Sequence, residues 1–130
     1  MNEIILAGAL IIDNNKLLLI HRNKVGRTQW ELPGGKLELG ETLEETVIRE
    51  LKEELNIDVG IEKYLTCENS IEDNNILKYH WYKCYIKNGT PTLMEDKFDE
   101  IRYFKKEELD NIELSSNMKV LKKKIDINEL

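Results

Sequence analysis

Residues 34–57 read GGKLELGETLEETVIRELKEELNI, and the reading of this stretch decides both the fold and the chemistry. Two glycines lead into a run with helical periodicity. Leu43, Val47, Leu51 and Leu55 recur every four residues, with Ile48 beside them; this is the apolar stripe of an amphipathic helix of about four turns. Thr42, with Glu45 three residues later, matches a capping box that satisfies the first-turn amide donors, so the helix is expected to begin after Glu41. Asn56 stands at the expected C-cap, where Asn is the best substitute for glycine in a left-handed conformation.

The helix carries Glu50, Glu53 and Glu54. At 100° per residue, and with Glu50 as zero, Glu53 falls at about −60° and Glu54 at about +40°, against about +20° for Leu43 and about +60° for Val47. The three carboxylates share one edge, and Glu54 lies inside the border of the apolar stripe. A solvated acidic face would set its acids opposite the core and alternate them with bases at i+4. Glu45–Arg49 and Arg49–Glu53 fit that pattern. Glu50 and Glu54 do not, because they repel each other at i,i+4 and Glu54 at a core margin requires a partner. Crowded carboxylates that stay ionised suit a hard divalent cation such as Mg²⁺. The preceding Pro33-Gly34-Gly35 adds a tight turn whose backbone groups approach a ligand closely. Such a turn alone is common; joined to three acids it points to a phosphate-and-metal pocket.

Upstream, residues 3–12 (EIILAGALII) suit a strand buried on both faces. Asp13-Asn14-Asn15 is a turn signal, and residues 16–21 (KLLLIH) read as the returning strand of a hairpin. Residues 23–28 read as a polar loop holding Lys24 and Arg27, and Trp30-Glu31-Leu32 as a short strand ended by Pro33. Downstream, residues 57–68 form a strand interrupted at Gly60, residues 72–75 a turn, and residues 76–87 a long aromatic strand. Asn88-Gly89 is a hairpin signal. Residues 95–100 are an acidic connection, 101–104 another strand, 106–109 a helical turn, and Ser116 caps a last helix through Met118, Leu121 and Ile125. The order β-β-β-α-β-β-β-α implies an α/β (α+β) domain over residues 1–130, with helices packed on a mixed sheet.

Composition narrows the partners. The 130 residues fit one domain, and 41% apolar content supplies its core. Asp plus Glu number 25 against 19 Lys plus Arg, which argues against a nucleic-acid partner, since that requires a basic footprint. A polyphosphate remains compatible because a bound cation inverts the local field. No apolar run approaches the roughly 18 residues of a membrane span, and the start MNEIILAGAL lacks the features of a signal peptide. The expectation is a cytoplasmic protein, monomer or homodimer. Cys67 and Cys84 have no zinc spacing and read as reduced thiols on strands. His21 and His80 have no ligand partner at a readable spacing and read as structural.

On these residues the chain resembles the Nudix hydrolase family, whose signature is G-x5-E-x7-R-E-U-x-E-E-x-G-U with U a bulky aliphatic residue. Gly35, Glu41, Arg49, Glu50, Leu51, Glu53, Glu54 and Ile57 fall at the required spacings; Asn56 alone departs, standing where the family has its second Gly. The flanking WELPGG and Glu38 are similar to the MutT-like branch. The resemblance implies an α/β/α sandwich in which Gly34 (through its carbonyl), Glu50, Glu53 and Glu54 hold two or more Mg²⁺ or Mn²⁺ ions. It implies that Glu41 and Arg49 brace loop against helix, that Glu38 lies near the site, and that Arg22 contacts phosphate. Gly35 and Arg27 join the candidate phosphate-binding residues. The general base varies in the family, so Glu50, Glu53 and, among the later acids Glu95, Asp96 and Glu100, Glu95 remain candidates. The implied reaction is hydrolysis of a nucleoside diphosphate linked to another group. A (deoxy)nucleoside triphosphate, or a modified nucleotide such as 8-oxo-dGTP, leads over ADP-ribose and dinucleotide polyphosphates. A catalytically silent ligand sensor and 5′-triphosphate RNA processing are the alternatives, the first disfavoured by the intact glutamates and the second by the acidic charge. Tyr79, Trp81 and Tyr103 are candidates for the base pocket, since aromatics stack bases, although such residues on alternating strands also serve as core.

Overall fold

A computed structural model describes all 130 residues. The strands are β1 (Asn2–Asp13), β2 (Lys16–Lys24), β3 (Arg27–Glu31), β4 (Gly34–Lys36), β5 (Asp58–Glu72), β6 (Asn75–Asn88) and β7 (Phe98–Lys105). The helices are α1 (Leu43–Leu55) and α2 (Ser116–Lys124), with short 3-10 turns at Lys106–Asn111 and Ile127–Glu129. The strands form one mixed sheet in the order β3-β2-β1-β6-β5, with β4 added on β1 and β7 on β2. The β1–β6 pairing is parallel and the others are antiparallel.

Two apolar cores lie on the two faces of this sheet. Leu51, Leu55 and Val47 of α1 pack with Ala7, Ala9, Ile11, Leu18 and Ile20. Met118 and Leu121 of α2 pack with Leu6, Leu10, Leu17, Leu19, Trp30 and Trp81. Alternate residues of β1 and β2 therefore serve opposite cores, as the period of two in a strand requires. The result is the α/β/α sandwich that the sequence implies. Both tight hairpins use paired left-handed residues, Asn14-Asn15 (φ 52° and 62°) and Asp73-Asn74 (φ 51° and 62°), the conformation that two-residue turns between twisted strands demand.

The helix carrying the glutamates follows its sequence closely. Thr42 accepts from the Glu45 amide while the Glu45 side chain accepts from the Thr42 amide, and Asn56 is left-handed at φ 56°. Ile48 departs from expectation: it is 43% exposed, whereas Thr46 is fully buried, its hydroxyl donating to Glu41.

Other boundaries are corrected by tertiary pairing. Residues 23–28 are not a loop, because β2 runs to Lys24 and pairs with β3 from Lys24–Arg27 onward, leaving only Val25-Gly26 as the turn. Gly34-Gly35 is not merely a turn; it enters β4, opposite Gly8 and Ala7 of β1. Gly60 does not interrupt β5, whose irregularities lie at Asp58/Val59, Ile61/Lys63 and Tyr64/Thr66. Ser115, not Ser116, caps α2. Asn88-Gly89 forms no hairpin, because β6 already has β1 and β5 on its two sides and a returning strand would find no free edge. The chain instead crosses to the C-terminus of α1, where the Thr92 and Met94 amides donate to the Leu55 and Glu54 carbonyls. These bonds satisfy acceptors that a helix end leaves without partners.

The left-handed cap gives a stability test. Asn56→Ala should lower the unfolding free energy by about 1 kcal/mol, the scale of left-handed strain in a residue with a Cβ, whereas Asn56→Gly should preserve stability. Urea unfolding of the two variants checks this; an alanine variant as stable as wild type contradicts the assigned cap.

Candidate active site

The start of β4 faces the C-terminal half of α1, and this contact builds the site. The Gly34 amide donates to Glu54 Oε1 at 2.9 Å. Glu54 is 3% exposed, so the angular reading that moved it to the core border was correct. Burial and the neighbouring Glu50 charge hold its carboxyl well above the ordinary carboxylate range, opposed by the Gly34 amide. Gly35 lies directly against Glu50: a Cβ at residue 35 would stand 2.3 Å from the Glu50 carboxyl carbon. A side chain at residue 35 would push the Glu50 carboxyl out of this position. Burial raises the Glu50 carboxyl too, with Arg49 pulling it back and Glu53 and Glu95 pushing it further up.

Arg49 binds this corner together. Its guanidinium donates twice to Glu41, at 2.6 and 3.0 Å, once to Glu50 at 2.9 Å and once to the Lys36 carbonyl at 2.9 Å. It also reaches Glu53 at 3.2 Å and Glu38 at 3.4 Å. The planar fork gripping Glu41 by two bonds is a geometry lysine cannot reproduce. Glu41 also takes bonds from the Thr46 hydroxyl and the Glu38 amide, and its carboxyl is lowered to about 2, chiefly by Arg49. Loop 37–42 is thereby fastened to the helix.

Glu50, Glu53 and Glu54 are not gathered into a ready-made ligand cluster, and no group of three or more His, Cys, Asp or Glu is arranged to hold a metal ion. Arg49 occupies Glu50 and Glu53, while Glu54 turns to Gly34. The donor chemistry still fits a divalent cation. The Glu50 charge raises the proton affinity of buried Glu54, Arg49 is the one cation bonded to Glu50 and none is bonded to Glu54, and hard oxygen ligands of this kind are what Mg²⁺ takes.

A cleft of about 540 Å³ runs past these residues, lined by Gly34, Gly35, Glu38, Glu50, Glu54 and Lys97. It continues into a second hollow of about 350 Å³ lined by Gln29, Trp81, Ser115, Asn117 and Met118. Leu6, Arg22, Glu31, Lys36 and Tyr79 border both, so the two are one groove with a carboxylate end and an aromatic end. Among the later acids, Glu95 is the one whose charge reaches Glu50 and Glu54; Glu100 pairs with Arg102 on its own strand.

The remaining candidates divide. Arg22 borders both ends but is clamped to Glu31 by two 2.8 Å bonds and lies over the Phe98 ring. Arg27 sits at the aromatic end, paired with Glu72 and Asp73, away from the glutamates, because the β2–β3 hairpin carries it there. Tyr79 and Trp81 line the groove but are buried (8% and 1% exposed) and stacked on each other, so they form a packed wall. Tyr103 does not belong to the groove at all: it packs against the core beneath α1, on the opposite side of β7 from Phe104 in the α2 core. His21 bonds Asp99 and His80 bonds Tyr64. Sequence reasoning missed Lys36 and Lys97, which stand beside the glutamates only through β4 and the segment after β6, and Asn117, which α2 brings to the groove. Lys36 follows Gly34-Gly35 directly and could have been inferred; Lys97 and Asn117 had no local signal.

The sequence model of the NUDIX domain matches residues 4–125. The chain belongs to the NUDIX domain family. A crystal structure of a MutT NUDIX hydrolase from Burkholderia pseudomallei superposes with a TM-score of 0.85 over 97% of this chain and 100% of that one, at 23% identity; that likeness speaks for the fold. An 8-oxo-dGTP diphosphatase of Proteus vulgaris is 42% identical over 57 residues, 42% of this chain and 51% of that protein. An ADP-ribose pyrophosphatase of Methanocaldococcus jannaschii is 41% identical over 58 residues, 44% of this chain and 34% of that protein. The chain spans 22% to 51% of the length of the curated relatives it matches. No helix is long and apolar enough to cross a membrane.

The Arg49 hub sets a pH test. The Glu41 carboxyl sits near 2 in the folded protein against an ordinary 4.5, so the unfolded chain binds the extra proton between those values. That contribution to stability is present above about pH 4.5 and is lost as pH falls towards about 2. Arg49→Lys should lower the urea midpoint near neutrality and flatten this acid-side loss. An unaltered acid limb in the variant contradicts the assignment.

Proposed function

We propose that this NUDIX protein hydrolyses a phosphoric anhydride in a nucleoside diphosphate derivative, with a (deoxy)nucleoside triphosphate, ordinary or oxidised, as the leading substrate. The observation that carries the reading is the continuous groove joining the carboxylates to an aromatic and amide-lined hollow. A nucleotide has the matching polarity, with a polyphosphate at one end and a base at the other.

Glu50, Glu53 and Glu54, with the Gly34 carbonyl, would hold Mg²⁺ or Mn²⁺. Such ions, when bound, neutralise polyphosphate charge and make a coordinated water more acidic. Lys36 and Lys97, and Arg22 where Glu31 leaves it free, face the phosphates from the groove walls. Gly35 keeps the wall open by carrying no side chain against Glu50. Arg49 and Glu41 hold the loop in register without touching substrate. Glu53, more exposed than its two neighbours, or Glu95 accepts the proton of the attacking water. At the aromatic end Tyr79 and Trp81 back the base while Asn117 offers amide donors to its edge. For a triphosphate the products are the monophosphate and pyrophosphate.

ADP-ribose is the second reading, since a relative bearing that activity in its name is as similar as the 8-oxo-dGTP diphosphatase. In this chain Ser70-Ile71-Glu72 end β5 and Asp73 opens the turn to β6, without the Pro that the ADP-ribose branch often carries there.

A hydrolysis screen in Mg²⁺ across normal and oxidised nucleoside triphosphates, ADP-ribose and dinucleotide polyphosphates tests the reading. Monophosphate release from a triphosphate is expected, lost on chelation and restored by Mg²⁺. Glu53→Gln should keep the fold and lower kcat at least about a hundredfold. No turnover of any nucleotide contradicts the hydrolytic reading, and near-wild-type kcat in Glu53→Gln contradicts the role of Glu53.

A further inference from the structure

Glu54 and Glu68 are both buried acids, each 3% exposed, and only Glu54 belongs to the carboxylate end of the groove. Glu68 lies on β5 directly opposite Tyr79 of β6. Its Oε1 accepts the Trp81 indole N–H at 3.2 Å, while its Oε2 has no hydrogen-bond partner. Leaving a buried carboxyl oxygen unpaired is costly, and an apolar residue would avoid that cost. Trp81 is in turn confined. It lies flat against Tyr79, with centroids 4.1 Å apart and planes 3° apart, and any Cβ at Gly8 would stand 2.4 Å from its ring.

Glu68 is one of a row. Alternate residues of a strand share a face, and the next two on this face behave alike. The Ser70 hydroxyl donates to the Asn117 side-chain oxygen on α2, and Glu72 pairs with Arg27 on β3 at 2.7 Å. Trp81, Asn117 and Arg27 come from three different elements, and all three line the aromatic end of the groove. One strand therefore bonds one side chain on each of three elements that line the groove.

We propose that Glu68, Ser70 and Glu72 are positioning residues for the nucleoside end of the groove, with Glu68 as the anchor that fixes Trp81 and, through the stack, Tyr79. The inference rests on the nucleotide-hydrolase reading for its kinetic consequence. Its structural content stands apart from that reading.

The ionisable groups around Glu68 are few. Lys124 on α2 lowers its proton affinity, Tyr79 faces it from β6, and Cys67 and His80 bond each other on the adjacent positions. Burial outweighs the Trp81 bond and Lys124, and pushes the Glu68 carboxyl up to about 7. Its ionisation should therefore be readable on the indole it holds.

Glu68→Leu fills the space without an acceptor, whereas Glu68→Gln keeps the acceptor and cannot ionise. With the nucleotide found by the screen, Glu68→Leu should raise KM at least about fivefold, the scale of one lost hydrogen bond. Its kcat should stay within about twofold, the signature of lost uniform binding, and Glu68→Gln should restore KM. In a Trp30→Phe background Trp81 is the sole indole; its emission should shift as pH passes about 7, and Glu68→Gln should abolish that shift. Unchanged KM in Glu68→Leu, an equal KM rise in both variants, or an emission shift that persists in Glu68→Gln overturns the proposal. A wild type that turns over no nucleotide contradicts the hydrolytic reading instead, and the emission measurement then decides the role of Glu68 by itself. The same measurement decides it should the leucine variant not fold.

Discussion

The hydrogen bond from the Gly34 amide to the Glu54 carboxylate is the contact on which the rest of this protein depends. It ties β4, and through β4 the central strand β1, to the last turn of α1. Because it lies in the interior, it places an acid where the sheet and helix would otherwise demand an apolar side chain. Gly35 then has no space for a side chain, Glu50 is brought against the backbone, and Arg49 is placed to reach across to Glu41 and the Lys36 carbonyl. A single buried acid thus fixes the geometry of the corner. The same acid makes that corner electrostatically unfinished, since its proton affinity is raised by burial and by Glu50.

Two layers of charge surround that corner and act differently. Arg49 forms a dense set of bonds to Glu41, Glu50 and the loop backbone, and its guanidinium is held charged by them. This layer is structural, and its bonds are satisfied within the chain. Glu54 and the free sides of Glu50 and Glu53 form the other layer, which is less well compensated. The proposed divalent cation belongs to that second layer, where it would compete with Arg49 for Glu50 and Glu53.

The helix was legible in the sequence because its determinants are local. Four-residue spacing, the Thr42–Glu45 box and Asn56 are all read within one element, and the angular position of Glu54 follows from helix geometry alone. The aromatic end was not legible in this way. Asn117 reaches the groove because α2 packs across the sheet, Lys97 because the chain after β6 crosses to α1 rather than turning back, and Tyr103 leaves it because strand alternation assigns it to the other core. The Asn88-Gly89 signal failed for a related reason: turn chemistry is local, but whether a strand edge is free to accept a partner is decided by the whole sheet. Trp81 and Tyr79 border the groove as a buried, stacked wall, and the Trp81 indole bonds Glu68, a contact between strands that no short motif announces.

Buried Glu54, with Glu50 beside it, is proposed to make this corner a divalent-cation site. Mn²⁺ binding, followed by electron paramagnetic resonance with the wild type and Glu54→Gln at matched pH, tests it most directly. Saturable binding by the wild type is expected to weaken at least about tenfold, roughly 1.4 kcal/mol, in the variant, with the fold retained by circular dichroism. Equal Mn²⁺ affinity in the two proteins would contradict it.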